Sequence, residues 1–201
     1  MTLLRHGQTD ANTEGMYIGK TDMQLSDLGR GELLTMQKEF LYPRVERVYT
    51  SPLSRAVESA TILFPDVPIE NVTVVDSLRE MDFGVFEGLK ASDLVELESY
   101  KAWLRGGFDV CPPNGESARE VLTRTLSGLD LVICDMMEKG VTDAALVTHA
   151  GIITNIICGF GLPKLTPVEA ATDFGKGFMI SISAALWQGS QTFEIVGRTP
   201  A

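Results

Sequence analysis

Strand-like runs at Thr2–Leu4, Arg47–Thr50, Val72–Val75 and Ala144–Thr148 alternate with longer segments of helical periodicity, and this alternation constrains the fold more than any other feature of the chain. It predicts an α/β architecture, a three-layer sandwich with a mostly parallel central sheet and helices on both faces. Apolar residues three and four apart mark one helix through Leu53, Ala56, Val57, Ala60, Leu63 and Phe64. A second apolar face runs through Val121, Leu122, Leu126, Leu129, Ile133, Met136 and Met137, and both helices should pack on the sheet. Near the C-terminus, Phe178–Leu186 and Thr192–Val196 read as strands joined by a turn at Gly189–Ser190, a hairpin that adds at least one antiparallel strand. Glycines and prolines break the pattern over about 84–117, a lid-like excursion. No linker, repeat or low-complexity tract divides residues 1–201, which are expected to form a single domain. The first strand is the odd one, with only four residues before Arg5 in what should be a central position.

The 201 residues are 44% hydrophobic, enough for one sizeable core. With 27 acidic against 17 basic residues the formal charge is −10, which argues against nucleic acid or an anionic membrane surface as a partner. A small anion can still bind where a few Arg and His side chains converge. The most apolar stretch, Ala144–Phe160, is too short to span a bilayer and is interrupted by His149 and Asn155. Cys111, Cys134 and Cys158 lack the close spacing of zinc or dithiol sites and are expected as buried free thiols. Arg5 and His6 interrupt the apolar start, so no secretory signal is seen and a cytoplasmic location is expected. Nothing in the sequence sets an oligomeric state.

The chain has two histidines, and each follows a predicted strand: Leu3-Leu4-Arg5-His6-Gly7 and Leu146-Val147-Thr148-His149-Ala150-Gly151. In a parallel sheet the carboxyl ends of strands share one edge, so the two imidazoles can meet, with Gly7 and Gly151 allowing close approach of ligand and backbone. A third strand end reads Thr50-Ser51-Pro52-Leu53-Ser54-Arg55-Ala56, with Ser51 as N-cap and Pro52 as first helical residue. Arg55 then lies in the first turn, where the helix dipole disfavours a cation and an anion becomes its natural partner. A fourth strand end leads into Asp76-Ser77-Leu78-Arg79-Glu80-Met81-Asp82, from which either Glu80 or Asp82 could donate a proton.

These pieces, Arg5-His6-Gly7-Gln8-Thr9 with Asn12, Ser51-Pro52-Leu53-Ser54-Arg55-Ala56, Leu78-Arg79-Glu80-Met81-Asp82-Phe83-Gly84 and Thr148-His149-Ala150-Gly151, resemble in order and content the histidine phosphatase, or phosphoglycerate mutase-like, superfamily. The resemblance implies that His6 is the nucleophile, that Arg5, Arg55 and His149 hold the phosphoryl oxygens with help from Asn12 and Ala150, and that Glu80 is the acid/base. In that scheme neutral His6 attacks phosphorus while its other ring nitrogen donates to a backbone carbonyl, and His149 donates to a phosphoryl oxygen as the cation. No metal or cofactor is required, and the partner is a small-molecule phosphomonoester. The segment Asn12–Gly19, with Asp82–Gly88 and Pro113–Ser117, is similar to α-ribazole phosphatases of cobalamin assembly and equally to phosphatases that take a broad range of small phosphomonoesters. Three alternatives remain: a cofactor-dependent phosphoglycerate mutase, which generally carries a longer insertion than Glu80–Glu116 offers, an inactive relative that binds a phosphorylated ligand, and a metal hydrolase, for which the two histidines lack a suitably spaced third ligand. Tyr17, Ile18, Phe86, Trp103 and Phe108 could each face substrate or core.

Overall fold

In the computed structural model, which describes residues 1–40 and 42–200, the strands are β1 (Thr2–Arg5), β2 (Arg47–Thr50), β3 (Val72–Val74), β4 (Ala144–Thr148), β5 (Gly161–Leu162), β6 (Gly177–Ser181) and β7 (Phe193–Thr199). They form one sheet in the order β3-β2-β4-β1-β6-β7-β5. Neighbours from β3 to β1 are parallel, and β6 runs antiparallel to both β1 and β7. The α-helices are α1 (Asp10–Thr13), α2 (Asp27–Glu39), α3 (Ser54–Leu63), α4 (Ala91–Leu94), α5 (Glu98–Arg105), α6 (Ala118–Lys139), α7 (Ala150–Phe160) and α8 (Ala184–Ser190). All four residues of β1 pair with its parallel neighbour β4, and the Met1 amino group donates to the carbonyl of Ile180 at 2.9 Å.

Alternation along the strands divides the core into two layers. Leu3, Tyr49 and Leu146 pack with α6 and α7, while Leu4, Val48 and Val147 pack with Leu33 of α2 and Ala56, Ala60 and Leu63 of α3. A Ser117–Glu120 capping box starts α6 and a left-handed Gly140 ends it. Its last predicted apolar residue, Met137, is 42% exposed, because the buried stripe ends one residue earlier at Met136.

The C-terminal strands pair as expected, but their connection differs. The chain leaves β6 at Ser181, and Ser183 accepts the N–H of Leu186 to cap α8. Residues 184–186 are therefore helical and Gly189–Ser190 close the helix instead of forming a turn. Ala184, Ala185 and Leu186 are good helix formers, and the helix places Trp187 in the core. The cysteines are free, but Cys111 and Cys134 are exposed and Cys158 is half-buried, since Cys134 falls on the solvent side of α6. Among the described residues no helix is long and apolar enough to cross a membrane.

Between Gly84 and Ser117 the chain forms a 3₁₀ turn, α4 and α5 around a small cluster of their own. Phe86, Leu94 and Tyr100 are buried there, with Phe83, Trp103 and Tyr17 against them. The Tyr17 and Tyr100 hydroxyls lie 2.8 Å apart, tying the excursion to the loop after α1. Phe108 is 58% exposed and belongs to neither core nor site.

Candidate active site

Parallel registers align Arg5 with Thr148 and Thr50 with Val147, so β1, β4 and β2 deliver their next residues to one edge. His6 and His149 meet there, buried, with ring centroids 5.1 Å apart. His6 Nδ1 lies 2.6 Å from the Gly7 carbonyl and donates to it, which leaves the Nε2 lone pair free. Burial, and next the charge of Arg55, push the His6 pKa down to about 3, so the ring is neutral.

His149 Nε2 lies 2.7 Å from Ser51 Oγ, and its Nδ1 is buried without a partner. Ser51 Oγ accepts the N–H of Leu53 at 3.3 Å and is free to donate its own proton to His149. Burial, His6 and Arg55 hold the His149 pKa well below its ordinary value. These causes work against the expected imidazolium, while a phosphoryl dianion at Nδ1 would work for it.

Ser51 is not the N-cap. Helix α3 starts at Ser54, two residues beyond the expected Pro52, because the Asp22 carboxylate takes both the Ser54 N–H and hydroxyl at 2.7 Å. Arg55 keeps its place in the first turn. It is 1% exposed and donates to the carbonyls of Thr21 at 2.9 Å and Gly19 at 2.7 Å. Arg5 stacks 3.9 Å above the Phe174 ring and donates to the Thr172 carbonyl at 2.7 Å, while its Nε is buried and unpartnered. Arg5 Nε, a donor, and His149 Nδ1, a donor in the imidazolium or the Nδ1–H tautomer, are both buried without partners. Unpaired buried donors are rare, and an anion would satisfy both.

Glu80 lies across the site, its carboxylate accepting the N–H groups of Met81 at 2.9 Å and Gly151 at 3.2 Å. Burial raises its pKa, against those two N–H groups and Arg55, which lower it. Asp82, the other candidate, is instead paired with Lys20 at 2.6 Å and accepts the Gly84 N–H. Of the two glycines, Gly151 meets the expectation of close approach: a Cβ there would lie 2.7 Å from the Glu80 carboxylate. Gly7 does not face the site, since its Cβ would meet Leu33 of α2.

Arg5, His6, Asn12, Glu80 and Ala150 border a cavity of about 450 Å³, while Arg55 and His149 are buried outside its lining. Asn12 turns its Oδ1 to cap α1 through Thr9, leaving its amide NH₂ for the cavity. Ala150 opens α7, whose N-terminal end favours an anion. A second cavity of equal volume opens between Gln37 and Val67 but touches neither histidine nor Glu80, so chemistry and not size identifies the site. Among the described residues no group of three or more His, Cys, Asp or Glu could hold a metal ion.

Four contributors escaped the sequence reading. The sequence around Ser51 reads as a helix cap, and Phe174 follows the last motif with nothing to mark it. Thr154 and Asn155 border the cavity from α7, where two adjacent polar residues in an otherwise apolar helix were the available signal.

The family model described as "Histidine phosphatase superfamily (branch 1)" matches residues 1–175. A Hydrogenobacter thermophilus protein with a provisional phosphoserine phosphatase name is 30% identical over 168 residues, 81% of this chain and 80% of the relative. The adenosylcobalamin/α-ribazole phosphatase of Salmonella typhimurium is 30% identical over 162 residues, 77% of this chain and 76% of the relative. The crystal structure of the α-ribazole phosphatase from Shigella flexneri superposes with a TM-score of 0.80 at 22% identity, covering 98% of this chain and 94% of that one, a likeness of fold. A neutral, backbone-oriented histidine at the end of β1 within a chain matched over most of its length leaves one assignment: this protein belongs to branch 1 of the histidine phosphatase superfamily.

Proposed function

We propose that the chain hydrolyses small phosphomonoesters, without a metal, through a phosphohistidine formed on His6. The observation that carries this reading is the His6 ring itself, with Nδ1 bound to the Gly7 carbonyl, Nε2 free, and His149 5.1 Å away. Nε2 attacks phosphorus in line with the ester oxygen as the P–O bond breaks, and protonated Glu80 gives its proton to the departing oxygen. The Glu80 carboxylate then takes a proton from water, the water oxygen attacks phosphorus, and the N–P bond breaks to release phosphate. Charge on the equatorial oxygens is met by Arg5 Nε, the Asn12 amide and the N-terminal end of α7, with Arg55 and the His149 ring acting from just behind the cavity lining. These donors are already held in place, so little reorganisation accompanies the reaction. The excursion at 84–117 does not itself border the cavity, and its aromatic cluster supports the two lining residues Tyr17 and Phe83 from behind.

α-Ribazole 5′-phosphate is one candidate substrate, supported by the likeness of Asn12–Gly19 and Asp82–Gly88 and by the Salmonella relative's name, beside a broad range of small phosphomonoesters. A phosphoglycerate mutase would pass through the same phosphoenzyme, but the short span from Glu80 to Glu116 favours water as acceptor. An inactive relative is opposed by the intact set of Arg5, His6, Arg55, Glu80 and His149. The free cysteines support a cytoplasmic setting. An aryl phosphate assay with a strong chelator present tests the proposal: turnover should persist and vanish in His6→Ala. Turnover that the chelator abolishes, or that His6→Ala retains, contradicts it.

A further inference from the structure

The cavity is charged at one end only. Arg5 and the acid Glu80 are the Lys, Arg, Asp or Glu side chains that border it among the described residues, and both sit with His6 at the phosphoryl end. The remaining wall is apolar or neutral: Met16, Tyr17, Ile18, Met81, Phe83 and Val121, with Thr154 and Asn155 as its polar groups. Cations nearby are already matched. Lys20 is 2.6 Å from Asp82, and Lys90 is 3.3 Å from Glu14. Arg79 and Arg124 both bind Glu116, and Arg124 also donates to the carbonyls of Ser77 and Arg79.

From this we infer that the site selects phosphomonoesters with an uncharged, partly apolar body and discriminates against those carrying a carboxylate or a second phosphoryl group. The inference rests on the phosphatase reading and narrows it. A second anionic group would leave water for a wall that returns at most neutral hydrogen bonds from Thr154 and Asn155, with no countercharge against the desolvation it suffers. The net charge of −10 adds repulsion. An uncharged ring, by contrast, meets the faces of Tyr17 and Phe83 and the thioethers of Met16 and Met81, and its polar atoms can reach Thr154 and Asn155. Phosphoserine and the phosphoglycerates fall in the rejected class.

The test compares 4-(hydroxymethyl)phenyl phosphate with 4-carboxyphenyl phosphate, which differ in the charge of one remote substituent. The neutral ester should have the higher kcat/KM by about 10- to 100-fold, the range expected for one unpaired charge. Equal values, or preference for the carboxylate, overturn the inference while leaving the phosphatase reading intact. Hydrolysis of neither ester removes the phosphatase reading itself. In Asn155→Arg the ratio should shrink or invert, and a ratio unchanged in that folded variant would show that the wall does not set the discrimination.

Discussion

Glu80 sits between groups that pull its proton in opposite directions. Burial favours the neutral acid, the N–H groups of Met81 and Gly151 and the charge of Arg55 favour the carboxylate, and burial wins. As pH rises through that raised pKa the acid is lost, so kcat for alkyl phosphates should fall on the alkaline side. Glu80→Gln should slow phosphorylation by alkyl phosphates about 10²- to 10⁴-fold and barely alter the burst from aryl phosphates, whose leaving groups need no proton. Equal losses on both would remove the acid role. Ser51 should act through His149: Ser51→Ala frees the imidazole tautomer and should lower kcat about 10- to 100-fold with little change in KM, as for other groups that orient a functional histidine from behind. Ser51→Thr, which keeps the hydroxyl, should restore most of the rate, and failure of that rescue would reduce Ser51 to packing.

Helix α3 shows how an element can be placed correctly and bounded wrongly. Its apolar face was visible in Ala56, Ala60 and Leu63, but its first residue is set by Asp22, a carboxylate from a distant segment that local sequence cannot announce. The same holds for α8, where a strand-like apolar run becomes helix because Ser183 caps it and Trp187 finds the core. The excursion between Gly84 and Ser117 has its own small core and should respond as a separate unit. Phe86→Ala is expected to destabilise that cluster by about 3 kcal/mol and to speed proteolytic cleavage within 84–117 before the sheet unfolds. Cleavage that waits for global unfolding would show the excursion to be integral with the main core.

Across the whole molecule, the site exists because three parallel strands, β1, β2 and β4, end at one edge and carry His6, Ser51 and His149 there together. That convergence was legible from strand ends alone, since parallel order dictates which ends coincide. What stayed hidden were the long-range partners: Phe174 under Arg5, the Gly19 and Thr21 carbonyls on Arg55, and the Ser51 hydroxyl on His149, each fixed by tertiary contacts between residues far apart in sequence. The central claim is a covalent bond between phosphorus and His6 Nε2. Rapid quenching of the enzyme during turnover of a radiolabelled phosphomonoester should trap label that is stable in base, lost in acid and confined to the peptide containing His6. Label on another residue, or full turnover with no trapped label under single-turnover conditions, would contradict the account.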